Sequence, residues 1–149
     1  MNLNHPNGSR AYFSLRKYQL NGNKIEIWLS GISKSIGRFR VTTTINYKKG
    51  KLNLNPKKIY FDKPDKWTRA VGTSSLYTLT RDIQGYSSYT GKKKSVKFKK
   101  PWWVILLKYY PLKKGDRIYL RTYRGKFGWV NDVQKGGFNM LLEEASFTA

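Results

Sequence analysis

The sequence predicts an all-β protein: a single-domain antiparallel β-sandwich, with a barrel as the alternative and at most one short helix. Three observations predict it. Apolar residues alternate with polar ones at period two. Strand-like segments return about every 10 to 15 residues with turn chemistry between them. Runs of good helix formers are scarce. A chain of 149 residues favours one domain with a core of its own. We divide it into a flexible N-terminal arm, residues 1–10, and a β domain, residues 11–149.

The elements follow in chain order. In KIEIWLS, Ile25, Ile27 and Leu29 share one face, opposite Glu26 and Trp28. In GRFRVTTTINY, Phe39, Val41, Thr43, Ile45 and Tyr47 oppose Arg38, Arg40, Thr42, Thr44 and Asn46. β-Branched and aromatic residues suit strands. KKGK, Lys48 to Lys51, reads as a hairpin turn in which Gly50 takes positive φ. KKIYF is a further strand, followed by the loop DKPDKW. SSLYTLTR, Ser74 to Arg81, is another, and GYSSYTGKKK is a strand end and turn. SVKF points Val96 and Phe98 inward and Lys97 and Lys99 outward, and Pro101 marks an edge or a bulge.

WWVILLKYY is the most apolar run. As a helix its nine residues rise about 14 Å, too short to cross a bilayer. As a strand they extend about 30 Å. Trp103, Ile105 and Leu107 lie on one side and Trp102, Val104 and Leu106 on the other, so both sides are apolar. Such a strand is expected to be central and covered on both faces. After the turn PLKKGD comes RIYLRTYR, with Ile118, Leu120 and Thr122 on one face and Arg117, Tyr119, Arg121 and Tyr123 on the other. NMLLEEA is the one helix candidate, and it reads equally as a closing strand through ASFTA.

Charge is the strongest global signal. Thirty basic residues face eight acids, a net charge of +22. That balance concerns solubility and anionic partners, not fold. Residues 92–124 carry twelve bases against one acid, Asp116, which is half of the net charge. Lysines beside a sticky strand guard against aggregation, and six of them between Lys92 and Lys100 exceed that need. The expected anion-binding residues are Lys92, Lys93, Lys94, Lys97, Lys99, Lys100, Lys113, Lys114, Arg117, Arg121 and Arg124. The expected aromatic contacts are Trp102, Trp103, Tyr119 and Tyr123.

Catalytic chemistry is not expected. There is no cysteine, and the single histidine, His5, lies in the polar arm, where it cannot hold a general base in place. No zinc spacing and no phosphate-binding loop occur, so neither a metal nor a cofactor is expected. Asp62 and Asp65 bracket Pro64 as turn and charge-balancing residues, and Glu143 and Glu144 would point to opposite faces of a strand. A small basic nuclease is a minor reading.

The leading expectation is a non-catalytic, secreted or cell-surface β-sandwich that binds an anionic membrane, cell-wall polymer or envelope surface, in its sharper form a toxin or antimicrobial. Five tryptophans and eleven tyrosines suit a bilayer interface. The polar start MNLNHPNGSR holds no signal peptide, and a cytoplasmic location is the alternative. The second reading is a nucleic-acid-binding module that uses basic strands and exposed aromatics. The third is a carbohydrate-binding, lectin-like sandwich with Trp28, Trp67 and Trp129 as platforms, although acids and amides to fix sugar hydroxyls are scarce.

Overall fold

A computed structural model describes residues 12–33, 35–62, 76–111, 115–132 and 141–143. The expected arm, the DKPDKW loop beyond Asp62, Lys113 and Lys114 lie outside them. The described residues form strands β1 (Tyr12–Asn21), β2 (Lys24–Ser33), β3 (Gly37–Lys48), β4 (Lys51–Leu54), β5 (Tyr60–Phe61), β6 (Leu76–Leu79), β7 (Ile83–Tyr86), β8 (Lys94–Phe98), β9 (Trp103–Tyr110), β10 (Arg117–Thr122), β11 (Phe127–Asn131) and β12 (Leu141–Glu143). The helical content is one 3₁₀ turn, Pro56–Lys58, capped by the Asn55 side chain, which accepts from the Lys57 amide. NMLLEEA contributes the strand β12. The all-β prediction is borne out.

All pairings are antiparallel, in one sheet of order β1-β2-β3-β5-β9-β10-β11-β7-β8, open rather than closed. Two strands branch it. β3 pairs with both β4 and β5 along one edge, and β9 pairs with both β5 and β6, with β12 beyond β6. The apolar run therefore lies centrally, as expected.

The sheet curls onto itself. β1 and β9 stand four strand spacings apart, about 19 Å on a flat sheet, yet the Phe13 and Tyr109 rings lie 5.4 Å apart. Phe39 stacks on Tyr109 at 5.2 Å, and Phe61 packs against both. This aromatic cluster joins Ile27, Leu29, Val41, Val104, Leu106, Ile118, Leu120 and Val130 in one buried core. The period-two faces of β2, β3 and β10 point as predicted.

Local turn chemistry sets the register. Lys49 and Gly50 both have positive φ, the type I′ pattern for a two-residue hairpin loop. Gly22 alone has positive φ in the β1–β2 turn, the type II′ pattern. Bulges shift register at two places. In β1 the break lies between Leu15 and Lys17. In β9 Leu106 opposes Leu120 but Lys108 opposes Tyr119, so Leu107 is the extra residue. The parity expected for β9 therefore holds only to Leu106. Beyond it Tyr109 turns inward and Lys108 outward.

One glycine is sterically required. A Cβ on Gly31 would lie 2.3 Å from Cζ of Phe39, the residue opposite it. The Phe39 ring cannot swing away, because Tyr109 and Phe13 hold it. Overpacking of this kind costs about 3 kcal/mol, roughly a 10 °C fall in melting temperature for a chain of this size. Gly31→Ala should show that fall. Adding Phe39→Leu should give a double variant less destabilised than the sum of the two single changes.

Candidate functional site

Pairing register places one row of side chains across the outer face of the sheet. Lys17 opposes Trp28, Trp28 opposes Thr42, and Thr42 opposes Tyr60. Tyr60 opposes Lys108, which opposes Tyr119, which opposes Trp129. Trp129 opposes Tyr86, and Tyr86 opposes Lys94. Directly opposed residues share a face, so these nine side chains form a stripe about 38 Å along the arc. Side-chain geometry agrees. The Lys17 ammonium lies 4.4 Å from the Trp28 ring, Lys108 lies 5.6 Å from Tyr60 and 5.9 Å from Tyr119, and Tyr119 meets Trp129 at 4.8 Å.

The stripe has an open half and a covered half. Over Trp28, Thr42 and Tyr60 it forms a groove of about 470 Å³, which Glu26, Thr44, Lys58 and Asp62 also line. Asp62 there pairs with Arg16 at 3.1 Å and accepts from the Thr42 hydroxyl at 3.0 Å. At the other half Trp129 is buried beside Tyr89, which also meets Tyr110 at 4.7 Å. Lys57 lies over the Tyr89 ring, and the Tyr89 hydroxyl beside it holds its ammonium above the ordinary lysine pKa.

Arg117, expected as an anion contact, fastens this cover. Its guanidinium donates to the carbonyls of Ser88 and Gly91 and to Asn131 Oδ1, and it stacks on Tyr86 at 4.5 Å. It is buried, and that burial lowers its pKa. Two of its hydrogen bonds hold the loop that carries Lys92 and Lys93, and the third holds β11.

The other predicted residues are dispersed. Lys92, Lys93, Lys94, Lys97, Lys99 and Lys100 are exposed along β8, the last strand of the sheet order, and its flanks. Lys99 pairs with Asp82 at 3.6 Å. The Lys100 amide, and next the Lys99 charge, hold the Asp82 carboxyl below its usual range. Tyr119 and Arg121 are half-buried on the outer face. Trp103, Tyr123 and Arg124 come together where β9 begins and β10 ends. There the Tyr123 amide donates to the Trp103 carbonyl, and the Arg124 guanidinium lies over the Tyr123 ring. Trp102 packs against the core beneath Lys126.

A second feature was not anticipated. The β1–β2 and β3–β4 hairpin tips lie side by side, joined by the Tyr47 amide donating to the Asn23 carbonyl. Tyr18, Leu20, Tyr47 and Leu52 continue the core-facing parity of these strands past the end of the core. They are exposed by 63%, 67%, 50% and 58%. Lys24, Lys48, Lys49 and Lys51 lie at the two turns beside them, with Lys24, Lys48 and Lys51 on the opposite face of the hairpins by register. β3 and β9 run the same way, each antiparallel to β5. The apolar tips therefore lie at the opposite end of the strands from Trp103 and Tyr123.

Two acids are buried instead of exposed. Tyr109 Oη lies 2.7 Å from Asp116 Oδ2 and 2.6 Å from Asp132 Oδ2. A phenol has one proton, so two hydrogen bonds this short need a second proton on one carboxyl. Burial pushes the Asp132 pKa above the ordinary carboxylate value, against the opposing hydrogen bonds of Ser35 and Tyr109. Burial likewise pushes the Tyr109 hydroxyl up. The cluster ties β9 to the flanks of β10 and β11, and it is too enclosed to meet a solute.

The sign of its pH effect follows. The native state holds the Asp132 proton more tightly than the unfolded state does. Stability from this group is full below the ordinary carboxylate pKa and is lost as pH rises through the native one. Relative to wild type, Asp132→Asn should gain melting temperature steadily from pH 4 to pH 8. A difference that stays flat with pH would place the proton elsewhere.

Among the described residues no group of three or more potential ligands could hold a metal, and no helix is long and apolar enough to cross a membrane. No protein-family model, curated protein or solved structure matches the chain.

Proposed function

We propose that this is a non-catalytic protein of the cell surface or exterior that docks peripherally on anionic membranes through its two hairpin tips. The observation that carries the reading is the four-residue apolar patch of Tyr18, Leu20, Tyr47 and Leu52 in a setting of four lysines. Apolar surface that a fold leaves uncovered marks an interaction site, and the four lysines put charge of one sign at the same end of the hairpins. The same four lysines oppose self-association of the tips through like-charge repulsion.

The magnitudes suit reversible binding. Full burial of a Leu-sized side chain is worth about 1.5–3 kcal/mol, so four side chains already partly covered yield roughly 4 kcal/mol. Each lysine near an anionic surface adds about 1 kcal/mol, screened by salt. Neither part suffices alone, and together they hold a protein on a bilayer without insertion of a spanning element.

The test is co-sedimentation with phosphatidylglycerol-containing vesicles and with phosphatidylcholine vesicles at physiological salt. Retention on the anionic vesicles, weakened about tenfold in Leu20→Ser/Leu52→Ser, is expected. Equal retention of that variant would overturn the reading.

A further inference from the structure

We infer that the groove on the outer face is a binding site for a neutral, hydroxyl-rich glycan chain, with two alternate sugar rings seated on Trp28 and Tyr60. The site shares no residue with the hairpin-tip patch, so it stands or falls separately from membrane docking.

Geometry gives the repeat. Trp28 and Tyr60 belong to one cross-strand row with Thr42 between them. Two strand spacings separate them by about 10 Å, the length of about two pyranose repeats, so the two aromatic rings meet alternate sugars of a chain. Lys17 from β1 and Lys108 from β9, the strands flanking the groove, lie against these rings and brace them.

Charge gives the class. Two of the chain's eight acids, Glu26 and Asp62, line this groove against one base, Lys58, with Arg16 paired to Asp62 and Lys17 and Lys108 against the aromatic rings. The lining is thus far less basic than a chain of thirty bases and eight acids, which favours a neutral ligand here over the phosphate or sulfate that the lysine-rich strands would take. The two carboxylates are good acceptors for sugar hydroxyls. Thr44 adds a hydroxyl that both donates and accepts, and Thr42, whose proton goes to Asp62, one that accepts. Glu26 makes no hydrogen bond or ion pair among the described residues, so its acceptor capacity is open. The Asp62 carboxylate is held in place by Arg16 and Thr42, as a preorganised acceptor should be. An aromatic floor with a few convergent polar groups is the usual make-up of a small-ligand site. The sequence showed too few acids for sugar recognition, and the fold answers that by gathering two of them beside two aromatic rings.

The experiment is calorimetric titration with cellohexaose, with chitohexaose and with a thymidine oligonucleotide, at physiological salt. At least one hexasaccharide should bind with quenched or shifted Trp emission. Trp28→Ala and Tyr60→Ala should each weaken it at least tenfold, Glu26→Gln by several fold, and Trp28→Phe should recover part of the loss. Unchanged melting temperatures would separate these effects from misfolding. Binding of neither hexasaccharide, or binding indifferent to Trp28→Ala, overturns the proposal. Oligonucleotide binding that Trp28→Ala abolishes overturns it too, and assigns the row to base stacking.

Discussion

Leu106→Asp should leave no cooperative thermal transition. Leu106 is 1% exposed, and its neighbours Val104 and Ile105 are buried on either side of the same strand. Truncation of a buried leucine already costs about 2–5 kcal/mol. An unpaired carboxylate in its place adds several kcal/mol, or forces the group to stay protonated. The sum reaches the whole stability of an ordinary domain, about 5–15 kcal/mol. β9 joins the two parts of the branched sheet, so its loss separates β5 and β6 from β10. Leu52→Asp is the control: Leu52 is 58% exposed, and its melting temperature should move by only a degree or two. Circular dichroism melts of both decide the matter. A sharp transition in Leu106→Asp would mean that the run is peripheral.

The contrast between these two leucines shows what the sequence made legible. Parity exposed β2, β3 and β10 because apolar residues recur at alternate positions through most of each strand. β1 went unread because its alternation breaks at Arg16: Phe13 and Leu15 face inward at odd positions, Tyr18 at an even one. A bulge erases the period-two signal at the point where it reverses. In β9 the bulge at Leu107 was hidden by composition, since both parities were apolar. The buried fate of Arg117 was also invisible, because it depends on carbonyls some 26 to 29 residues away. Lys108 and Trp129 enter the outer row only through pairing register, which no local window contains. Asp62 looked like a turn residue, and its partner Arg16 lies 46 positions away.

Replacing Lys24, Lys48, Lys49 and Lys51 together with Gln should cost the largest share of vesicle affinity. At about 1 kcal/mol each, the loss at low salt is roughly a hundredfold or more. It should shrink as salt rises, since screening already weakens the same four terms. The Leu20→Ser/Leu52→Ser loss should persist at high salt, because hydrophobic transfer is not screened. A variant with Lys92, Lys93, Lys94, Lys97, Lys99 and Lys100 changed to Ser is the decisive comparison. It removes more charge than the tip variant, yet from a strand at the far end of the sheet order. Under tip docking it loses less affinity than the four-lysine variant. If it loses more, charge along β8 governs the contact, as composition alone suggests. Trp emission supplies an independent discriminator. The hairpin tips hold no tryptophan, so docking there leaves the spectrum in place. A blue shift on vesicle binding would bring Trp103, with Tyr123 and Arg124, to the lipid and reverse the orientation of the protein on the membrane.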